Sequence, residues 1–271
     1  KKTILKAEVI ASYDGENNLV VSIPQAQMFL LAMTRILAIL IHIPVLGGRL
    51  IPNMIKIGLG GLLTMVLLDW QPLPAGTQSL TTASFGLAIG REILIGTIAG
   101  FSATLTFAAF QMAGDLMGLG SGFASAYIFN PTFESSGSPL ENLFVLTATL
   151  LFLVINAHHA FLIGIAQTFE ILPPSAPLPK LSANNLIQMT SHLIATGVQI
   201  ALPILGCILL ADITLGLLAR VSPQIHVFFL GLPIKIGLGI MILALSMDFI
   251  FPNIIQLFKD MPMRSLMLFG Y

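Results

Sequence analysis

Beyond residue 27 the chain alternates long apolar runs with short polar breaks, and six runs stand out, near 28 to 46, 54 to 69, 84 to 113, 140 to 165, 186 to 218 and 225 to 258. All six read as helices, which makes the expected fold all-α. A helix crossing the hydrocarbon core needs roughly 20 residues at about 1.5 Å each. The second run is too short, whereas the third and fifth overshoot unless they tilt, kink or break. Pro203 inside the fifth run, and Gly231, Pro233 and Lys235 near the start of the sixth, supply places to break. The connections at 70 to 83, with Pro72, Pro74 and Gly76, and at 170 to 185, with Pro173, Pro174, Pro177 and Pro179, are rigid and polar. None is long enough to divide the body, so 28 to 258 is one apolar helical unit, followed by a tail at 259 to 271. Residues 1 to 27 differ: Ala7 to Tyr13 and Leu19 to Ile23 flank Asp14-Gly15, which predicts a small β-hairpin or a disordered tail.

Within this pattern Lys56-Ile57-Gly58-Leu59-Gly60 returns 179 positions later as Lys235-Ile236-Gly237-Leu238-Gly239, each time with a proline just upstream, Pro52 and Pro233. A lysine beside glycines at an apolar helix places charge and close-packing backbone where a purely lipid-facing helix has use for neither. Gly86 with Gly90, and Gly96 with Gly100, form two GxxxG steps on the third run, which permit close helix packing.

Composition places the chain in or against a membrane: it is 56% hydrophobic and 9% charged, against roughly 25% charged residues in a soluble domain. Its net charge is zero, which gives no field for nucleic acid and no polybasic patch for anionic lipid. The single cysteine, Cys207, lies in an apolar run and excludes an intrachain disulfide or a cysteine metal site. Lys1, Lys2 and Lys6 resemble the start of a signal peptide, but Glu8, Asp14 and Glu16 interrupt the apolar stretch that should follow. Insertion is therefore expected to rest on the later runs. Basic residues are too evenly spread among the connections to give a clear orientation.

Gly114 to Tyr127 is the least helix-like stretch of the body, with Gly118, Gly120 and Gly122 at alternating positions. Irregular chain at membrane depth survives where it lines a cavity or is buried in protein, so one reading is a pore loop or plug. The other is a flexible connection at the surface; the apolar Met117, Leu119, Phe123 and Tyr127 favour the first. Enzyme signatures fail. The glycines lack a preceding strand and end at Phe123 instead of a final glycine, Ser121 does not sit in a GxSxG frame, and no P-loop occurs. His158 and His159 point about 100° apart on a helix, which suits a structural role better than a metal. No cofactor is expected.

Arg91 and Glu92 are the strongest charges inside the runs and, being adjacent, need partners elsewhere. Arg35 can serve Glu92, while Asp212 and Arg220 share a helical face but stand too far apart for direct contact. A proton or ion relay is one reading, and neutralised pairs holding helices or subunits together is the other. Without a run of carboxylates the second is preferred. Arg35, Lys56, Arg91, Glu92, Asp212, Arg220 and Lys235 are accordingly expected as buried or interface charges, some of them paired only by other chains.

Taken together these residues resemble the FliR family of flagellar export-gate proteins, whose virulence-secretion relatives form the T subunit of the injectisome. The resemblance runs from about Met28 to Phe258. It rests on Arg35, the Pro52 to Gly60 run, Glu92 with Gly96 and Gly100, Ala113-Gly114-Asp115 with Gly118, Asn130-Pro131, the turn at Asn156 to His158, and Phe169 with Pro173. Its most specific part is Pro203 followed by Leu215 to Gln224 and Leu230 to Lys235. Two departures stand out: residues 1 to 27 are longer and more strand-like than the family's start, and Asn130 replaces an Asp before the proline.

The resemblance implies broken and kinked helical hairpins that assemble with P, Q and B subunits into a pseudo-helical gate of the bacterial inner membrane, at the flagellar basal body. Unfolded rod, hook and filament proteins would pass through the shared pore, driven by other parts of the apparatus. It also implies that Gly114 to Pro131 plugs the closed channel, with Met117, Gly118, Leu119, Gly120, Ser121, Gly122, Phe123, Asn130 and Pro131 as its residues. Injectisome use is an alternative. A secondary transporter for a small solute is another, suggested by the repeated break and lysine.

Overall fold

The computed structural model describes residues 22–48, 51–68, 79–123, 138–174, 176–179, 182–222, 224 and 226–269. Among them every regular element is a helix. Helix α1, Ile23–His42, starts where Ser22 accepts from the Gln25 backbone N–H while the Gln25 side chain accepts from the Ser22 N–H, with Pro24 in the first turn. The helix thus opens five residues ahead of the apolar run, and Ile23 belongs to it and not to an extension. The Asp14-Gly15 hairpin lies outside the described residues. Pro44 holds Ile43 extended, which ends α1, and a single turn, α2 (Pro44–Gly47), leads to the short α3 (Asn53–Leu67).

The long run becomes α4, Thr82–Gly120, 39 residues without a break. This overturns the expectation that Gly114 to Gly120 is irregular. The physical reason is burial: an added Cβ at Gly114 would stand 2.6 Å from Glu141 Cα, and one at Gly118 would strike the Ser138 side chain. The glycines admit the next helix instead of loosening their own, and packing overrides their poor helix propensity.

The fourth run is broken in two, α5 (Pro139–Val154) and α6 (Ala157–Ile171), bent by 73°. Asn156, with φ 56°, is the left-handed hinge between them. Pro203 does not break α7 (Ala183–Val221), and Pro233 does not break α8 (Val227–Leu245). The sixth run breaks instead at Ser246, where α9 (Met247–Lys259) turns away by 64°. Each proline removes one ladder hydrogen bond, which a long helix tolerates when its neighbours hold it straight. The expected tail contains a further helix, α10 (Met261–Met267), whose Met261 is fully buried, and Phe269 beyond it joins the core. Arg264 is buried there too, and burial pushes its guanidinium below its usual range while Asp260 opposes the shift.

Helix α4 is the spine, packed by α1, α5, α7 and α10. Four aromatic rings tie it to α5 and α9: Phe258 lies 5.4 Å from Phe107, 5.2 Å from Phe110 and 5.3 Å from Phe152. Helices α1, α4 and α7 are long and apolar enough to cross a membrane, and the count reaches five if each bent pair is one span. Many large apolar side chains, Met54, Val66, Val221, Phe229 and Leu245 among them, remain exposed. Such faces suit lipid or another apolar chain.

Candidate functional site

The deepest polar group is Arg35 on α1, fully buried like Glu92 on α4. Its Nε donates to Glu92 Oε2 at 2.6 Å, and its Nη1 donates to the carbonyls of Thr168 at 3.0 Å and Leu172 at 2.7 Å. The guanidinium also lies 4.4 Å over the Phe169 ring. One side chain therefore neutralises a carboxylate and caps the C-terminal end of α6, sharing the Thr168 carbonyl with the Leu172 N–H and taking the Leu172 carbonyl beyond it, where the helix dipole also attracts a cation. Three helices distant in sequence meet at this junction.

The two copies of the repeated lysine act differently. Lys56 Nζ donates to the carbonyls of Gly47 at 2.9 Å and Gly48 at 3.0 Å, closing the end of α2. Lys235 forms an ion pair with Asp212 across α8 and α7. Of the two placements expected for them, buried or interface, Asp212 and Arg220 are exposed within this chain and Lys235 is partly so. Arg91 and Arg220 make no hydrogen bond or ion pair with a described residue.

Of the two GxxxG steps, Gly96 and Gly100 face α1. An added Cβ would stand 2.6 Å from the Arg35 carbonyl oxygen at Gly96 and 2.8 Å from His42 Cβ at Gly100. Nothing lies within 4 Å of a Cβ added at Gly86 or Gly90. Replacing Gly96 with Leu is therefore expected to separate α1 from α4 and strain the Arg35 junction, at a cost of several kcal/mol, since overpacking alone costs about 1–3 kcal/mol. The measurement is the amount of full-length chain in membranes. Levels equal to the parent would show that α1 and α4 can part without penalty.

Along the plug candidates, Met117 is fully buried and Leu119 exposed, while Gly118 is pressed on Ser138. Ser121, fully buried, donates to the Met117 carbonyl at 2.7 Å and ends α4. Gly122 has φ +81°, a left-handed conformation that favours glycine, and Phe123 packs on the core. Asn130 and Pro131 lie outside the described residues. The structure thus makes Met117 to Gly120 a helix end and Ser121 to Phe123 the turn that leaves it.

Sequence reasoning missed a polar network beneath this end. Ser138 caps α5 through the Glu141 N–H, and Glu141 accepts from the Ser138 N–H at 3.1 Å and from Gln111 Nε2 at 2.6 Å. The signal was present as Ser-x-x-Glu before an apolar run. Gln27, which exchanges two hydrogen bonds with the backbone of Leu80, carried no such signal. Among the described residues no group of three or more His, Cys, Asp or Glu could hold a metal ion.

Long apolar helices, two sharp bends and neutralised internal charge define an integral membrane protein of helical hairpins. The model of "Bacterial export proteins, family 1" matches residues 26–261. The flagellar biosynthetic protein FliR of Pectobacterium carotovorum subsp. carotovorum is 36% identical over 233 residues, covering 86% of this chain and 88% of that protein. FliR of Escherichia coli (strain K12) is 31% identical over 232 residues, 84% of this chain and 87% of its own length. The Yop proteins translocation protein T of Yersinia pestis is 27% identical over 222 residues, 80% and 84% of the two chains. The chain belongs to the FliR family of bacterial export proteins, and it is a membrane component of the export apparatus and not an enzyme.

Proposed function

We propose that the chain is a subunit of the flagellar type III export gate, lining part of the pore through which unfolded rod, hook and filament proteins leave the cytoplasm. P, Q and B subunits are its partners, and the stretch from Met117 to Pro131, at and beyond the end of α4, seals the idle channel. The observation that carries the reading is the set of glycines left open. A Cβ added at Gly58, Gly61, Gly86, Gly90, Gly206, Gly216 or Gly237 meets nothing within 4 Å, although glycine weakens every helix that holds it. Such positions repay their cost where another helix comes close. A lone solute transporter gives no reason for them.

Purification in mild detergent followed by identification of the accompanying chains tests this, with Gly86→Leu and Gly90→Leu made together as the probe. The variant is expected to insert and accumulate normally but to lose its dissimilar partners. Recovery of a stable, partner-free parent chain that moves a small solute would overturn the gate reading and favour the transporter. Flagellar-named relatives run from 26 to 36% identity, a range that includes the injectisome relative at 27%, but four of them stand at 30% or more, which favours the flagellar system.

A further inference from the structure

The repeated run places its final glycine in the same role twice. Gly60 faces the Leu37 side chain of α1, and Gly239 faces Ser121, whose Oγ would lie 2.7 Å and whose Cβ would lie 3.0 Å from an added Cβ. At the second copy Leu232, Lys235 and Gly239 are one turn apart along a single face of α8, and Leu205, Ile208 and Asp212 are spaced likewise on α7. The Asp212–Lys235 pair joins these faces, and Leu215 reaches to 3.2 Å of a Cβ at Gly231, as expected of helices running antiparallel.

The end of α4 enters the groove between them. A Cβ at Gly120 would meet Leu205 at 2.9 Å and Ile208 at 3.8 Å, and one at Gly122 would meet Leu232 at 2.9 Å. Lys235 is one turn from Gly239 and one turn from Leu232, so the ion pair bridges the groove between the two contacts that hold Ser121 and Gly122. These contacts are small: Gly239 and Gly122 present backbone only, and the ion pair is partly exposed on both sides. Ser121 already has its hydrogen bond, to Met117, and leaving Gly239 strands no polar group there.

We propose that this groove is a clamp that positions the root of the sealing segment, with Asp212 and Lys235 setting its width and Leu232 and Gly239 forming its floor. Substrate passage then requires Ser121 and Gly122 to leave α8. The inference rests on the reading of the segment after α4 as a seal.

The test uses the full chain in cells with its native partners. With Cys207→Ala as background, Ser121→Cys and Gly239→Cys together place two Cβ atoms near disulfide distance, which is about 3.5–4.5 Å. Oxidation is expected to abolish secretion of hook protein, and reduction to restore it; a cross-linked chain that still secretes at the parent rate overturns the clamp. Because Gly239→Cys is tightly placed, charge reversal provides a second arm. Asp212→Lys alone and Lys235→Asp alone are expected to raise idle small-molecule leakage, by up to about fivefold for a partly exposed pair, and the double reversal to return it to the parent value. Singles as tight as the parent overturn the clamp. Deletion of Ser121 to Phe123, run alongside, separates the two ideas: if it leaks while the singles do not, only the clamp fails, and if it does not leak, the seal itself is wrong.

Discussion

Replacing Glu92 with Leu while Arg35 stays in place is expected to produce the largest loss of stability of any single change in this chain. Arg35 and Glu92 are both fully buried, and among the described residues Glu92 is the only carboxylate in ion-pair contact with the guanidinium, at 2.6 Å. Removing one member of a buried pair typically costs about 3–5 kcal/mol, because the remaining charge stays desolvated and unpaired. The two carbonyls of α6 still accept from Nη1 and soften the loss without neutralising the charge. The double change Arg35→Met with Glu92→Leu is expected to recover much of the stability, although it leaves the end of α6 without its cap. The readout is the apparent melting temperature of the detergent-purified complex, together with chain abundance in membranes. A single Glu92→Leu variant that melts with the parent would sink the argument that this pair is what joins α1, α4 and α6.

The second large effect concerns the idle channel. Deleting Ser121 to Phe123 is expected to leave the gate assembled but permeable to ions and small molecules. The deletion spares α4 up to Gly120, and with it the contacts of Gly114 and Gly118 on α5. It removes the left-handed turn at Gly122 and the Phe123 ring that packs on the core, which together direct the following chain. Apolar side chains exclude water without needing any fixed charge, so a seal of this kind fails by displacement and not by titration. Gly122→Val acts on the same turn: a β-branched residue at φ +81° is strained by about 1–2 kcal/mol or more. Conductance or dye uptake in resting cells, with co-purification as the assembly check, decides the matter. An assembled deletion as tight as the parent returns the segment to an ordinary surface connection.

Much of this architecture was legible because apolar runs and internal charge are strong signals in a chain that is only 9% charged. Arg35 and Glu92 could be matched from sequence since few groups are available to satisfy a buried charge. The breaks were harder. Pro203 and Pro233 looked like breaks and are helical; the turn at Asn156 was expected only through the family resemblance, and Ser246, the other hinge, has no comparable local signature. What separates them is tertiary support, which no local pattern records. Gly114 and Gly118 misled for the same reason: a glycine that loosens a helix and a glycine that admits a neighbour are written with one letter. Lys235 is singled out by the repeat, but the sequence offers Asp212 only Arg220 on its own helix, too far for direct contact, because the antiparallel pairing of α7 and α8 is a property of the fold.

The partners of Arg35 lie 57, 133 and 137 positions downstream. At a synthesis rate of about 5–20 residues per second, Glu92 emerges roughly 3–11 s after Arg35, and Leu172 roughly 7–27 s after it. Until Glu92 emerges α1 carries a guanidinium with neither carboxylate nor carbonyls, and until Leu172 emerges it still lacks the carbonyls. A long arginine side chain can reach the headgroup region of a bilayer, and there it keeps its hydration. The newborn first helix is thus obliged to wait near the membrane surface or in the insertion machinery, and its final depth is set only when the sixth helix has been translated. Ribosome pausing between residues 92 and 172 would lengthen that exposed stage, and membrane quality-control proteases would act on it first.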